Sequence, residues 1–125
     1  MGQATRSQVA TLRHFLSNRL ETLRTEIDVV MPVERVDAAV QEVASHADQS
    51  VEQQDEELVD AQLQRDLDEL RLVQAALQRL DGTGYGECID CGADIPTQRL
   101  LAQPAAERCL ACQSVFELAQ RRWRP

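Results

Sequence analysis

The feature that most constrains the fold is a long segment without glycine. Residues 3–81 contain no glycine and a single proline, Pro32, whereas residues 82–125 hold four glycines and three prolines. Apolar residues recur in the first segment at spacings of three and four, which is the periodicity of an amphipathic α-helix. One apolar row runs from Val9 to Val43 and a second from Val51 to Leu80. Because only 3% of the residues are aromatic, the composition also disfavours a β-sandwich or a barrel, and the chain is predicted to be mainly α-helical.

The two apolar rows can bury each other if the chain folds back as an antiparallel α-helical coiled-coil hairpin. The turn has two candidate positions, namely Pro32, which disrupts a helix interior, and residues 44–50, where the first row lapses and Ser or Asp can cap a new helix. A turn at Pro32 would pair a helix of about 28 residues with one of about 50. We therefore predict a hairpin over residues 1–80 with its tip at residues 44–50, a kink or local break at Pro32, and a second arm that faces the C-terminal part of the first.

The charge distribution predicts that this tip is acidic. The formal net charge is −8, which disfavours a sequence-independent grip on DNA or RNA. No basic residue lies between Arg35 and Arg65, and eight carboxylates occupy the interval: Asp37, Glu42, Asp48, Glu52, Asp55, Glu56, Glu57 and Asp60. These charges favour a basic partner surface. The alternative is that acidic helices carry them for solubility alone.

Four cysteines form two pairs in the C-terminal part of the chain. Cys88 and Cys91 are separated by two residues, as are Cys109 and Cys112, and 17 residues lie between the pairs. This spacing matches a structural zinc site, and Gly92 allows the positive φ that the first turn needs. Four thiolates close the coordination shell, so we predict one structural zinc per chain and no catalytic metal. The alternatives are two disulfides or four unrelated thiols.

The remainder of the zinc domain, residues 81–125, is expected to contain two short helices. Thr97 can cap the first of them, and the second is expected to end near Arg122. Apolar residues of this last helix are expected to pack on the domain: Val115, Phe116, Leu118 and Ala119. Arg99 or Arg108 is expected to offset the net charge of about −2 that four thiolates leave around Zn²⁺.

Residues 81–104, DGTGYGECIDCGADIPTQRLLAQP, and residues 108–113, RCLACQ, resemble the DksA/TraR zinc-finger family of bacterial transcription regulators. The likeness is specific over residues 80–113 and rests on pattern and length over the hairpin. It implies a regulator whose hairpin enters the secondary channel of RNA polymerase and places acidic tip residues near the catalytic Mg²⁺. It also implies that the four cysteines are the zinc ligands. Members of the family often act together with ppGpp, for which these residues assign no site.

The resemblance further points to residues at the tip. Asp48 stands 40 residues before Cys88, which is the position of the second of two tip aspartates in full-length family members. The first of those aspartates is Ser45 here, and the alanine that follows the pair is Ser50. The expected partner-binding residues are therefore Asp48, Ser45 and Glu52, with half of the tip signature absent.

A second hypothesis makes the protein a structural adaptor, which docks its hairpin on another protein or pairs with itself through Val33–Val43. An enzyme is not expected, because the sequence has no Ser-His-Asp set and no phosphate-binding loop. Of its two histidines, His14 is interpreted as a half-exposed helical residue and His46 as a solvated residue of the turn. The basic end of the last helix is interpreted as cations that suit the helix dipole, so no direct DNA binding is expected.

The sequence also predicts a cytoplasmic protein with no membrane partner. No apolar run approaches the roughly 18 residues that a membrane-spanning helix needs. The first 30 residues lack the apolar stretch and the cleavage site of a signal peptide.

Overall fold

The computed structural model describes residues 5–48 and 61–123. Five α-helices lie in these ranges: α1 (Arg6–Asp28), α2 (Val33–Asp48), α3 (Ala61–Asp81), α4 (Thr97–Ala102) and α5 (Leu110–Trp123). No β-strand occurs in the described part of the chain, where an isolated bridge joins Glu87 and Asp94. The mainly helical fold class is thus confirmed. None of the described helices combines the length and the apolar character that crossing a membrane requires.

The sequence just before α1 fixes the start of that helix. The Thr5 hydroxyl accepts a hydrogen bond from the Gln8 backbone N–H (3.2 Å), and the Gln8 side-chain oxygen accepts one from the Thr5 backbone N–H (2.9 Å). This capping box satisfies two backbone donors that the first turn of a helix leaves without an intrahelical partner.

The local break predicted at Pro32 is present. Residues 29–32 separate α1 from α2, as expected because proline restricts the residue before it and cannot continue a helical hydrogen-bond ladder. Val29 and Val30 lie in this break and are 81% and 61% exposed. The apolar row therefore does not extend through Val30, because the backbone that would carry its periodicity is not helical there.

The helices α1 and α3 form the antiparallel arms of the hairpin. Arg13, near the start of α1, pairs with Asp81 at the end of α3. Farther along α1, Arg19 forms a bidentate ion pair with Glu69, with N–O distances of 2.6 and 2.7 Å. As the chain advances along α1, its partners move backward along α3. The helix α2 also packs against α3, so both parts of the first arm contact the second arm, whereas the apolar pattern predicted contact with the C-terminal part alone.

A single apolar cluster joins the three long helices. Its buried members are Leu16, Leu23, Ile27, Val36, Val40, Val43, Leu67, Leu70, Val73 and Ala76. Burial of such side chains stabilises the fold by about 25 cal/mol for each Å² of apolar surface removed from water. Because Val36, Val40 and Val43 are buried within one chain, they offer little surface for the self-pairing that the adaptor hypothesis required.

The predicted tip lies partly outside the described residues. The helix α2 continues through Asp48, so the backbone of residues 44–48 is helical, and residues 49 and 50 fall outside the described ranges. Asp37 and Glu42 are exposed on α2. The other carboxylates of the acidic interval, from Glu52 to Asp60, also lie outside the described residues.

The zinc domain has a small apolar cluster of its own, formed by Cys88, Ile95 and Leu100. Tyr85 packs against both this cluster and the hairpin cluster, and its hydroxyl donates a hydrogen bond to the Pro104 carbonyl oxygen (2.8 Å). Burial raises the pKa of Tyr85 to about 12, so the hydroxyl keeps the proton that it donates. Tyr85 therefore links the two domains by apolar contact.

The two short helices of the zinc domain occur near the predicted positions, with two differences. Pro96 is the N-cap residue of α4, and Thr97 is its first helical residue. In α5, Val115 and Leu118 are 67% and 56% exposed and Ala119 is exposed as well, so the expectation that these three residues pack on the domain is wrong. The domain is small and covers the face of α5 that carries Phe116, whose ring lies 3.8 Å from the Arg108 guanidinium carbon.

Candidate metal centre

A tight turn brings the first two cysteines together. The Cys88 backbone N–H donates to the Ala93 carbonyl oxygen (2.8 Å), and the Gly92 N–H donates back to the Cys88 carbonyl oxygen (2.9 Å). Gly92 adopts φ = 78°, as its position after the second cysteine predicted. This left-handed conformation suits glycine because a Cβ atom would crowd the backbone. The turn therefore closes within six residues and points both thiols toward one side.

The second pair of cysteines lies at the start of α5. Cys109 immediately precedes the helix and Cys112 occupies its first turn, where the Cys112 backbone N–H approaches the Cys109 sulfur at 3.5 Å. The Ile89 N–H donates to the Glu107 carbonyl oxygen (2.9 Å). This backbone hydrogen bond holds the segment before Cys109 against the first turn and so brings the two pairs together.

The four sulfurs fit a tetrahedral zinc site. The Sγ atoms of Cys88, Cys91, Cys109 and Cys112 all lie within 4.8 Å of one another, and those of Cys91 and Cys109 are 3.9 Å apart. With Zn–S bonds of about 2.3 Å, a tetrahedron requires sulfur separations of about 3.8 Å. All four cysteines are free thiols, so the alternative of two disulfides is not found. The residues present fit one Zn²⁺ with four sulfur ligands, which leaves no open position for a substrate.

The protein surroundings shift the pKa values of these thiols in different directions. Burial is the largest single influence on Cys88 and opposes its ionisation, but backbone hydrogen bonds from Cys109, Cys91 and Asp90 together lower the pKa of this thiol to about 6. The pKa of Cys112 is raised to about 12, first by its hydrogen bond with Cys109 and then by that with Cys88. A cation that binds here displaces the protons that the thiols otherwise share.

Two arginines lie beside the cysteine turns. The Arg108 Nε donates to Asp90 Oδ2 at 2.7 Å, and the Asp90 backbone N–H lies 3.4 Å from the Cys88 sulfur. Arg99 Nε donates to the Arg108 carbonyl oxygen at 3.1 Å. Of the two arginines expected near the ion, Arg108 thus holds the residue between the first two cysteines, and Arg99 holds the backbone that leads to the second pair.

Sequence reasoning missed Glu107, which is the most enclosed carboxylate of the zinc domain. Its side chain is 8% exposed, and its oxygens lie 3.5 Å from Arg71, 3.9 Å from Arg79 and 3.2 Å from Arg108. Arg71 and Arg79 are distant from Glu107 in the sequence and belong to α3. No local pattern could therefore reveal the cluster, and in the sequence Glu107 looks like an ordinary surface charge before Cys109.

The structure does not bring the expected tip residues into this site. Ser45 and Asp48 lie in the last part of α2, three residues apart, and Glu52 lies outside the described residues. His14 is exposed on α1, more so than the half-exposed position that was expected. The cysteine centre and the expected tip are therefore separate features of the chain.

Comparison with known proteins identifies the same centre. Residues 84–118 match the family model described as the prokaryotic dksA/traR C4-type zinc finger. Together with the clustering of the four sulfurs, this match shows one structural zinc site. An uncharacterized 8.2 kDa protein of Escherichia phage P2 is 41% identical over 54 residues, which are 43% of this chain and 73% of that protein.

Longer likenesses include the hairpin. The RNA polymerase-binding transcription factor DksA of Escherichia coli K12 is 24% identical over 115 residues, which are 92% of this chain and 75% of that protein. The solved structure of transcription factor DksA2 from Pseudomonas aeruginosa matches with a TM-score of 0.56 at 22% identity, and the match covers 93% of this chain and 88% of the other. The structural match shows a shared fold.

Proposed function

The chain belongs to the DksA/TraR family of C4-type zinc-finger proteins, and on this basis we propose that it regulates transcription by binding RNA polymerase through its helical hairpin. The proposal rests on the length of one sequence match. DksA of Escherichia coli is named as an RNA polymerase-binding transcription factor, and it matches 92% of this chain, including the hairpin as well as the zinc domain. The cytoplasm, where polymerase acts, is the proposed location.

The zinc centre has a structural role in this proposal. The ligands are Cys88, Cys91, Cys109 and Cys112, whose sulfurs already lie within reach of one ion. Zinc supplies folding free energy to the domain, about 10–16 kcal/mol in zinc-finger peptides. The apolar cluster of Cys88, Ile95 and Leu100 is too small to stabilise the domain without such a contribution. The protein residues hold the ion and, through Arg108 and Asp90, orient the first cysteine turn.

The end of the hairpin arm is the proposed contact with the polymerase active-site region. Asp48 is at the family spacing from Cys88, and Ser45 and Glu52 are its proposed neighbours in the interface. Carboxylates there would favour basic residues of the channel or the metal ion that the polymerase holds. Exposed carboxylates on α2, Asp37 and Glu42, extend the same charge along the arm.

A cavity of about 490 Å³ at the base of the hairpin supports binding of ppGpp, which the family resemblance implies. It is lined by four arginines and two glutamates: Arg19, Arg71, Arg99, Arg108, Glu69 and Glu107. Four positive and two negative charges leave an excess of two positive charges, which favours a phosphorylated ligand. Calorimetric titration of the zinc-loaded protein with ppGpp tests this part, and Arg99→Gln should weaken any binding found.

Copurification with core RNA polymerase tests the central proposal. We expect the zinc-loaded chain to bind the polymerase and to be displaced by another protein that occupies the secondary channel. Replacement of residues 44–50 by a neutral linker should remove the effect on transcription. A chain that fails to bind purified polymerase, or that binds without competition from a channel-binding protein, would contradict the proposal and favour the adaptor hypothesis.

A further inference from the structure

The helices of the zinc domain contribute little to its junction with the hairpin. Among the described residues, neither α4 nor α5 packs extensively against the three long helices. Tyr85 and Ala105 are partly buried hydrophobic residues of the zinc domain that pack against the hairpin cluster. Helix packing therefore does not set the angle between the two domains, although a hairpin that reaches into a partner while its base rests outside requires a defined angle.

Glu107 forms the polar connection across this junction. Its carboxylate, 8% exposed, lies 3.5 Å from Arg71 Nη2 and 3.9 Å from Arg79 Nη1, and both arginines belong to α3. The Arg79 Nε and Nη2 atoms are buried without a hydrogen-bond partner in the described part of the chain. The Glu107 carboxylate is consequently the group that compensates the buried positive charge of Arg79.

The other side of Glu107 is tied to the cysteine turns. Its carbonyl oxygen accepts a hydrogen bond from the Ile89 N–H (2.9 Å), and Ile89 follows Cys88 in the sequence. Its carboxylate also lies 3.2 Å from Arg108 Nη1, and Arg108 reaches Asp90 between the first two cysteines at 2.7 Å. Glu107 thus bonds to α3 through its side chain and to the metal-binding turn through its backbone and Arg108.

We propose that Glu107 is a positioning residue that fixes the angle between the zinc domain and the hairpin. Ordering of the cysteine turns by the metal places Glu107 against Arg71 and Arg79, and the resulting ion pairs orient the hairpin. Without the carboxylate, the three guanidinium groups would repel one another across the junction. The consequence for polymerase binding rests on the proposed function, whereas the angle is a property of the free protein.

Residual dipolar couplings measured on the free, zinc-loaded protein test the angle between the zinc domain and the hairpin. They require no label on cysteine, so the metal ligands stay unmodified. In the wild type, backbone amides of α1 and α3 and those of residues 87–112 should fit one common alignment tensor. In Glu107→Gln, which keeps the shape of the side chain and removes its charge, the two sets should lose this common tensor while zinc remains at one per chain. The matched control is Glu117→Gln, since Glu117 is exposed and its side chain contacts Gln113 within α5.

A common tensor in zinc-loaded Glu107→Gln would overturn the proposal, even if the variant unfolds at a lower temperature, because that result is typical of a purely structural role. If Glu107→Gln does not fold, the variant Arg71→Gln provides the test, because it removes one ion pair of the same junction and leaves the Glu107 side chain in place. Loss of the common tensor in Arg71→Gln supports the proposal and its retention overturns it. Failure of the wild-type protein to bind polymerase would contradict the proposed function and leave these measurements on the free protein unaffected.

Discussion

At Gly92 the backbone adopts φ = 78°, and a residue with a Cβ atom in this conformation costs about 1–2 kcal/mol. A Cβ atom at this position would meet no heavy atom within 4 Å outside residue 92 and its two chain neighbours, so the cost of Gly92→Ala should come from local backbone strain alone. We expect this variant to lower the free energy of unfolding of the zinc-loaded protein by about 1–2 kcal/mol, which urea denaturation measures.

Gly82→Ala provides the matched control for this substitution. Gly82 does not have a positive φ, and its Cβ would meet the Gln78 carbonyl oxygen at an ordinary 3.4 Å. We expect little change in unfolding free energy for this variant. Equal destabilisation by the two substitutions would show that the left-handed turn at Gly92 is not the source of the effect.

Residues of the metal centre differ in how far the sequence revealed them. The cysteines and Gly92 could be assigned because a C-x₂-C turn is a local structure whose spacing carries its geometry. Glu107 could not, because its three arginine partners come from α3 and from its own neighbour. Exposure of Val115 and Leu118 was also missed, since an apolar residue on a short helix is buried only if the domain is large enough to cover it.

The elements of the hairpin are held together mainly by apolar burial. Leu70 is fully buried in the cluster of the three long helices, so Leu70→Ala should lower the free energy of unfolding by about 2–5 kcal/mol. The Arg19–Glu69 pair has short distances, but its side chains are 37% and 40% exposed. Glu69→Gln should therefore cost at most about 1 kcal/mol, and urea denaturation of both variants at pH 7 makes the comparison.

The contribution of Glu69 should also depend on pH. The hydrogen bond from Arg19 holds the pKa of Glu69 below its ordinary value of 4.5. The stabilisation is therefore present above that value and is lost as the pH falls through the lowered pKa. The difference between wild type and Glu69→Gln should shrink in acid. A larger difference in acid, or a cost above that of Leu70→Ala, would contradict this assignment.

The ends of the helices were predicted more reliably than their packing. The sequence predicted a break at Pro32 and a hairpin that ends at residue 80, and the structure has a break over residues 29–32 and the end of α3 at Asp81. Proline restricts its own backbone and glycine weakens a helix at its own position, so both effects can be predicted from the local sequence. The packing of both α1 and α2 on α3 depends on the path of the chain through the break, which no local pattern encodes.

Removal of the metal should unfold the zinc domain and leave the hairpin folded. The zinc domain has three buried residues in its cluster, one of which is Cys88, whereas the hairpin cluster has ten. We expect a chelator to abolish amide protection over residues 86–112 and to leave protection in α1 and α3. Hydrogen exchange with and without chelator measures this, and readdition of zinc should restore protection. Loss of protection in both domains together would show that the hairpin also requires the metal.

For the whole molecule, the proposed function predicts that Asp48 contributes little to polymerase affinity but is required for the effect on transcription initiation. If the Asp48 carboxylate forms one solvent-exposed ion pair with the channel, that pair contributes about 0–1 kcal/mol, so Asp48→Asn should change polymerase affinity by about fivefold or less. If Asp48 acts near the polymerase active site, the same substitution should abolish the effect on initiation in transcription assays on a ribosomal-RNA promoter. Asp37→Asn, an identical chemical change at an exposed position of α2, should leave that effect intact. Full activity of Asp48→Asn would exclude this role.

The serine at position 45, where an aspartate is expected at the tip, predicts the effect of restoring that aspartate. Ser45 stands three residues before Asp48 in α2, at the position where full-length relatives of the resembled type carry an aspartate. A single carboxylate provides less negative potential to a cationic channel than two neighbouring carboxylates do. Ser45→Asp should therefore strengthen the effect on initiation at equal polymerase occupancy, whereas Ser45→Asn, which has the same size without the charge, should not. Because occupancy is matched by direct binding measurements, a gain that appears equally in both variants would attribute the change to side-chain size and would contradict an electrostatic action of the tip.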